Sequence, residues 1–332
     1  MEKYKAIVES IKKAKNIVIT SHKSPDGDSI GSSLALYHFI EALGHKSIVC
    51  HPDEAALYLK WVPGAHDIVV FEKEKEKTIE LFEQADLIFC LDYNSSDRVG
   101  ADMELLLNAS TAKKILIDHH MHPADFCDIT ISETTVCSTS QLVFELIDQS
   151  GNRHLLNEKI GVPIYLGILT DTGSFRFPSV QARTHEILAE LIRAGVRHYE
   201  VHEKTFDTNT VDRLQLRGFV IADKLELIKG FPVAIMSLTE NELKRFNYQK
   251  GDTDGLVNVA LSIEGIQVAA FFSEKDGVVK ISFRSKGDFH VNVLAMEHFS
   301  GGGHKYAAGG ISFDPLDQTI NRFKSLIPIF FE

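Results

Sequence analysis

The stretch Ile115-Leu116-Ile117-Asp118-His119-His120 is a short apolar run that ends in a carboxylate and two imidazoles. A similar pattern, an apolar run followed by an acid, recurs three times in the first 172 residues. His22-Lys23-Ser24-Pro25-Asp26-Gly27-Asp28 follows the apolar run at 17–20, and Asp92 follows Leu87-Ile88-Phe89-Cys90-Leu91. Thr170-Asp171-Thr172 follows Gly167-Ile168-Leu169. Short apolar runs that alternate with helical patterns read as the buried strands of a parallel α/β sheet. The carboxyl ends of such strands converge on one edge, where ligands bind. Four acids and two or three histidines gathered there point to a metal site, and to one that holds two ions.

Around these clusters the pattern is regular. Tyr4, Ile7, Val8 and Ile11 follow helical spacing. A helix is expected over 30–43, stopped by Gly44. A strand is expected over 47–50, and helices over 141–148, 159–169 and 184–194. Residues 196–227 are polar and mostly helical in pattern. Strand candidates then appear at 233–237, 267–272 and 279–283, with a helix at 291–299 before Gly301-Gly302-Gly303-His304. The expectation is an α/β protein of two domains: a parallel-sheet catalytic metal-binding domain at 1–195, a helical connector at 196–229, and a smaller α/β substrate-binding domain at 230–332. An active-site cleft is expected between the two domains.

Composition narrows the function. A chain of 332 residues with 44% hydrophobic and 24% charged residues is globular, and its length favours two cores. No apolar run approaches a membrane span, and the N-terminus lacks the apolar segment of a signal peptide. Four cysteines without a C-x-x-C pair fit free thiols in a reducing cytoplasm. A formal charge of −11 argues against a protein that coats long nucleic acid. It leaves room for a short phosphorylated ligand held by local cations.

Each cluster has a plain structural reading by itself. Asp26 and Asp28 suit a turn and a helix N-cap, with Pro25 and Gly27 shaping the turn. Asp92 suits a loop acid at a strand end, and Asp171 a polar helix terminus. Gly31 and Ser32 are expected at an open helix start, where backbone N–H groups meet phosphate. The run Gly301-Gly302-Gly303 suits a flexible turn, although Arg284, Ser285, His304 and Lys305 nearby make it a candidate phosphate clamp. Four ligand-bearing element ends in one domain are hard to explain as coincidence.

Taken together, His22-x-x-Pro25-Asp26-x-Asp28, Asp92, Asp118-His119-His120 and Asp171 resemble the four ordered motifs of the DHH phosphoesterases. Arg284-Ser285 and Gly301-Gly302-Gly303-His304 resemble the C-terminal DHHA1 domain of one subfamily. The resemblance covers nearly the whole chain. It is strongest to short members described as oligoribonucleases (nanoRNases) that also dephosphorylate 3′-phosphoadenosine 5′-phosphate. It implies two divalent ions, Mn2+ by family habit. His22, Asp26 and Asp92 would hold one, and Asp28, Asp92, His119 and Asp171 the other. Asp118 would orient a histidine, and His120 would face the substrate. Arg284, Ser285, Gly301, Gly302, Gly303 and His304 would bind substrate. The implied partners are short RNA or a nucleoside 3′,5′-bisphosphate, with no long nucleic acid, membrane or obligate protein partner. His290 stands before the last helix, where the family pattern leads one to expect an acid. A phosphodiesterase for linear signalling dinucleotides and a non-catalytic nucleotide-binding module are the competing readings. The complete ligand set argues against the second.

Overall fold

The computed structural model describes residues 2–331, which divide into two compact units at Thr208 and Asn209. In the first unit, α1 (Glu2–Lys13) is followed by β1 (Ile17–Ser21), α2 (Gly27–Ala42), β2 (Ser47–His51) and β3 (Val69–Val70). Next come α3 (Lys75–Gln84), β4 (Leu87–Leu91), α4 (Ala101–Ala109), β5 (Lys113–Asp118) and β6 (Ile129–Ser132). Four helices complete the unit: α5 (Thr139–Gln149), α6 (Glu158–Asp171), α7 (Ala182–Arg193) and α8 (His198–Phe206).

The sheet is parallel throughout, in the order β3-β2-β1-β4-β5-β6. The chain winds outward from β1 to β3, then returns to place β4 on the other side of β1. That reversal opens a crevice at the carboxyl ends of β1 and β4, where doubly wound sheets bind ligands. Helices cover both faces, which is why the central strands are apolar on both sides. Ile19, Phe89 and Ile117 pack with α2, α5 and α6 in one core. Val18, Ile88 and Leu116 pack with Phe82 of α3 and Met103 and Leu107 of α4 in the other.

α2 and α6 cross at very short range because glycines face each other. A Cβ on Gly31 would stand 2.5 Å from Pro163 O, and one on Gly167 would stand 2.6 Å from Asp28 Oδ1. Gly31 and Ser32 are therefore buried against α6 a full turn inside α2. They do not form an open phosphate-binding helix start. The N–H groups at the true start, those of Asp28 and Ser29, are taken by the Asp26 side chain.

The second unit runs α9 (Val211–Asp223), β7 (Glu226–Leu227), β8 (Val233–Leu238), α10 (Glu240–Arg245), α11 (Leu256–Leu261) and β9 (Val268–Lys275). It continues with β10 (Val278–Ser285), α12 (Val291–His298), β11 (Gly302–His304), β12 (Ala307–Ser312) and α13 (Leu316–Phe330). Its mixed sheet has the order β11-β12-β10-β9-β8-β7, with only β8 and β9 parallel. Alternate residues of β8 serve two cores, Val233 and Ile235 on one face and Ala234 and Met236 on the other. Two expectations are overturned in this unit. The glycine run is not a free loop, since Gly302–His304 pairs with β12. The helix after His290 is not the last, because α13 follows it. No helix among the described residues is long and apolar enough to cross a membrane.

Candidate metal centre

β1 delivers His22 at its carboxyl end. Burial disfavours a charged imidazole there. The carboxylates of Asp26 and Asp92 outweigh that cost and hold His22 well above the usual histidine pKa. Its Nδ1 lies 2.9 Å from Lys23 O, so Nδ1 carries a proton and Nε2 is turned to the carboxylates. Nε2 stands 3.7 Å from Asp26 Oδ1 and 3.5 Å from Asp92 Oδ2. His119 is arranged in the same way. Its Nδ1 is 3.2 Å from Val136 O, and its Nε2 is 3.8, 3.6 and 3.4 Å from Asp28 Oδ2, Asp92 Oδ1 and Asp171 Oδ2.

These gaps decide the chemistry. Hydrogen bonds of this type fall at about 2.7–3.2 Å, so the side chains are not simply bonded to one another. Donors about 2.0–2.2 Å from one shared cation stand ~3.0–3.5 Å apart. The ligand atoms of His22, Asp26 and Asp92 lie within 4.8 Å of one another, as do those of Asp28, His119 and Asp171, somewhat wider than that spacing but close enough to converge on a cation. Asp92 lies between the sets, with Oδ2 turned to His22 and Oδ1 to His119. Burial also pushes the Asp28 carboxyl well above its ordinary pKa, reinforced by Asp92 and Asp171. For Asp92 the histidines overcome burial, and its carboxyl sits well below the usual range. Four acids, of which Asp28 and Asp92 are buried, Asp171 partly buried and Asp26 exposed, together with two buried Nε2 atoms fit divalent cations of intermediate softness.

Strain accompanies the site. Ser24, Asp92, His122, Ser174 and Phe175 have φ between 58° and 64°, so every motif loop contains a non-glycine residue in the left-handed region. Each such residue costs about 1–3 kcal/mol and persists only where its surroundings enforce it.

Several functional groups lie outside the motifs. α5 points its N-terminus at the centre. Thr139 and Ser140 N–H donate to Asp28 Oδ2 and Oδ1 at 2.6 and 2.8 Å, and Thr139 Oγ1 donates to Asp92 Oδ1 at 2.9 Å. Two N–H donors and the helix dipole together hold the buried Asp28 carboxylate in place. At the end of β2, His51 is buried, with Nε2 3.0 Å from Ser33 Oγ; burial and then His22 press its pKa down to about 3. Asp53 accepts from Ser24 N–H at 2.6 Å and fixes the first motif loop. The one sequence signal for this pair is their position, polar residues closing and following an apolar strand.

His120 adjoins the two ligand sets, converging with Asp92 and Asp118 to within 4.8 Å. Its Nδ1 is 2.7 Å from Asp118 Oδ1, and 3.9 Å from Asp92 Oδ1. Asp118 is fully buried, and its Oδ2 has no partner among the described residues. The contact ties the His120 ring to Asp118.

In the second unit, Arg284, Ala307 and His304 share one row of the sheet, because Arg284 pairs with Ala307 and His304 pairs with Ala307. Paired residues point to the same face, so the guanidinium and the imidazole rise from strands about 10 Å apart with only a methyl between them. Ser285 points to the other face and donates through Oγ to Phe289 O at 2.6 Å. The glycines permit this edge. A Cβ on Gly301 would collide with Gly309 O and reach within 2.6 Å of Gly310 Cα, and Gly303 has φ 135°.

A doubly wound domain with acids and imidazoles at its switch point, followed by a mixed-sheet domain with a glycine-built edge, defines a two-domain α/β protein equipped for divalent cations. The sequence profile described as "DHH family, N-terminal domain" matches residues 16–168, and that of the "DHHA1 domain" matches 230–327. The chain belongs to the DHH family and carries a C-terminal DHHA1 domain. It is 30% identical to the "Bifunctional oligoribonuclease and PAP phosphatase NrnA" of Thermus thermophilus, over 97% of this chain and 92% of that one. The protein of the same name from Bacillus subtilis is 28% identical, over 96% and 97%. Among solved structures, an exopolyphosphatase-related protein from Bacteroides fragilis superposes with a TM-score of 0.93 at 38% identity, covering 100% of this chain and 98% of that one.

Proposed function

We propose that this chain is a metal-dependent phosphoesterase that hydrolyses short oligoribonucleotides and 3′-phosphoadenosine 5′-phosphate. The observation that carries the reading is Asp92, whose two oxygens face two separate ligand sets. Full-length similarity to proteins named as oligoribonucleases and PAP phosphatases supports the substrate class. His22, Asp26 and Asp92 would hold one ion, and Asp28, Asp92, His119 and Asp171 a second, with Mn2+ the expected metal. Such ions supply a Lewis acid for the phosphoryl oxygens and a water of lowered pKa.

The chain's own groups do the rest. Asp118 orients His120 through Nδ1, so that Nε2 serves as the proton donor to the leaving oxygen when the P–O bond breaks. Thr139 and Ser140 keep Asp28 aimed. Arg284 and His304 grip a phosphate of the substrate, with Ser285 and the backbone of Gly301, Gly302 and Gly303 holding that edge in shape. The free thiols fit a cytoplasmic enzyme, and burial of Cys50 pushes its pKa up to about 12.

The test is hydrolysis of a 5′-labelled RNA dimer, a 24-mer, 3′-phosphoadenosine 5′-phosphate, pyrophosphate and polyphosphate, each with Mn2+ and with EDTA. The dimer and the bisphosphate should be hydrolysed fastest, EDTA should abolish turnover, and Asp92→Ala should be inactive yet folded. Arg284→Ala should raise KM for the dimer. Preference for pyrophosphate or polyphosphate, or equal rates on the 24-mer, would refute the assignment.

A further inference from the structure

Rings that the metal centre does not use gather around the helix that ends in Asp171 and the loop that follows it. Phe175 follows Asp171 by four residues. Its ring centroid lies 5.9 Å from Tyr165, 6.2 Å from His202 and 6.3 Å from His185. Tyr165 lies 6.5 Å from His198, and its hydroxyl is 3.4 Å from His202 Nε2. These rings come from α6, α7, α8 and the loop after α6. Tyr165 is buried and forms the floor. Phe175 and His202 are half-buried, while His185 and His198 are exposed. The result is a patch of π faces open at its rim.

Backbone strain is spent on this patch. Gly173, Ser174 and Phe175 have φ of 56°, 64° and 63°, and the turn is pinned by Ser174 N–H to Leu169 O at 2.8 Å and Phe175 N–H to Thr172 Oγ1 at 2.9 Å. Three left-handed residues in succession fold Phe175 back over Tyr165. The three histidines are not among the groups of acid and imidazole side chains that converge closely enough to share an ion, so the patch presents rings and not a further metal site. Tyr165 and Asp171 are six residues apart on one helix, about 9 Å along its axis and about 120° apart around it, and Phe175, on the loop after Asp171, carries the patch back towards that end. Rings of this kind bind unpaired bases without regard to sequence, because every base has a π face.

We propose that Phe175, His202 and His198, over Tyr165, form a stacking subsite for one unpaired base of the oligonucleotide whose phosphate sits at the Asp171 end of the centre. This rests on the reading that the substrate is a short single strand. It adds a base-binding contact on the first unit.

The test uses the full chain and RNA trimers, either complete or abasic at one position at a time. For the complete trimer, His198→Ala/His202→Ala should raise KM by about five- to 150-fold with kcat unchanged, the range that one stacked base contributes. Removing the base at one position should raise KM for the wild type and erase the difference between wild type and variant. His198→Phe/His202→Phe, which keeps the rings, should restore the wild-type KM. Phe175→Leu should behave like the alanine pair. The subsite is overturned if KM for the complete trimer does not change. It is also overturned if no abasic position removes the difference, or if the phenylalanine pair fails as badly as the alanine pair. If the wild type does not cleave the trimer at all, the substrate reading itself has failed, and the subsite with it.

Discussion

Thr139→Val separates a hydrogen bond from everything else at the centre. The substitution keeps the shape of the side chain and the N–H that donates to Asp28 Oδ2 at 2.6 Å. It removes the hydroxyl that donates to Asp92 Oδ1 at 2.9 Å. Both residues are buried, Thr139 completely and Asp92 to 2% exposure, so water cannot replace the lost donor. A hydrogen bond to a buried charge is worth about 1.5–3 kcal/mol. Asp92 keeps His22 at 3.5 Å and His119 at 3.6 Å as compensating neighbours, which places the loss in the lower half, about 1.5–2 kcal/mol. For a unit the size of Met1–Thr208, each kcal/mol moves the melting temperature by about 2–4 °C. Calorimetry in EDTA should therefore show the first unit melting about 3–8 °C lower, with the second unit unmoved. Thr139→Ser should keep most of the stability. Because Asp92 loses its orientation, Mn2+ affinity measured by titration calorimetry should also fall by about 10–100-fold. An unchanged melting temperature and unchanged Mn2+ affinity in Thr139→Val would show that the hydroxyl is incidental. Equal loss in the serine variant would point to packing.

Three further outcomes follow from the same geometry. His120→Ala should keep its full complement of bound metal, counted by elemental analysis, while kcat falls by about 10²–10⁴-fold; loss of metal would make His120 a ligand. The raised pKa values of His22 and Asp28 set a pH dependence whose sign can be worked out. Each group favours the metal-free fold below its ordinary pKa and loses that contribution as pH rises through the raised value, and each holds a proton that a cation must displace. Mn2+ should therefore bind more tightly at pH 8 than at pH 6 with release of protons, seen as buffer-dependent heats, whereas the melting temperature in EDTA should be higher at pH 6; a pH-independent affinity would contradict the assignment. Gly301→Ala, whose Cβ would meet Gly309 O and Gly310 Cα, should unfold or distort the second unit in a thermal melt, while Gly302→Ala, with nothing nearer than Met296 Cγ at 3.9 Å, should melt like the wild type.

Much of the centre is legible in the amino-acid sequence. Strands β1, β4 and β5 are short apolar runs bounded by polar residues, and that local pattern also places His22, Asp92 and Asp118 at their carboxyl ends. Asp26 shows why a pattern can support two readings at once, since its Oδ1 caps α2 and also faces His22. The glycine run is legible as a place needing freedom. Its pairing as β11 is not, because the partners Gly309, Ala308 and Ala307 come from a strand with no motif of its own. The support given by Thr139 and Ser140 leaves no trace in the chain either, since two of its three hydrogen bonds come from backbone N–H groups that every residue except proline possesses.

The sequence by itself determined which residues carry metal-ligand chemistry and where the central strands β1, β4 and β5 and the helices α2, α5 and α6 lie, because side-chain chemistry and periodicity are local properties. The tertiary structure decided which oxygen of Asp92 faces which histidine, that α5 aims its N-terminus at Asp28, and that Phe175 folds back over Tyr165. Those arrangements depend on how closely α2 and α6 approach through Gly31 and Gly167, and on where α5 settles on the sheet. Such distances are set by packing between segments far apart in the chain, and no local pattern contains them.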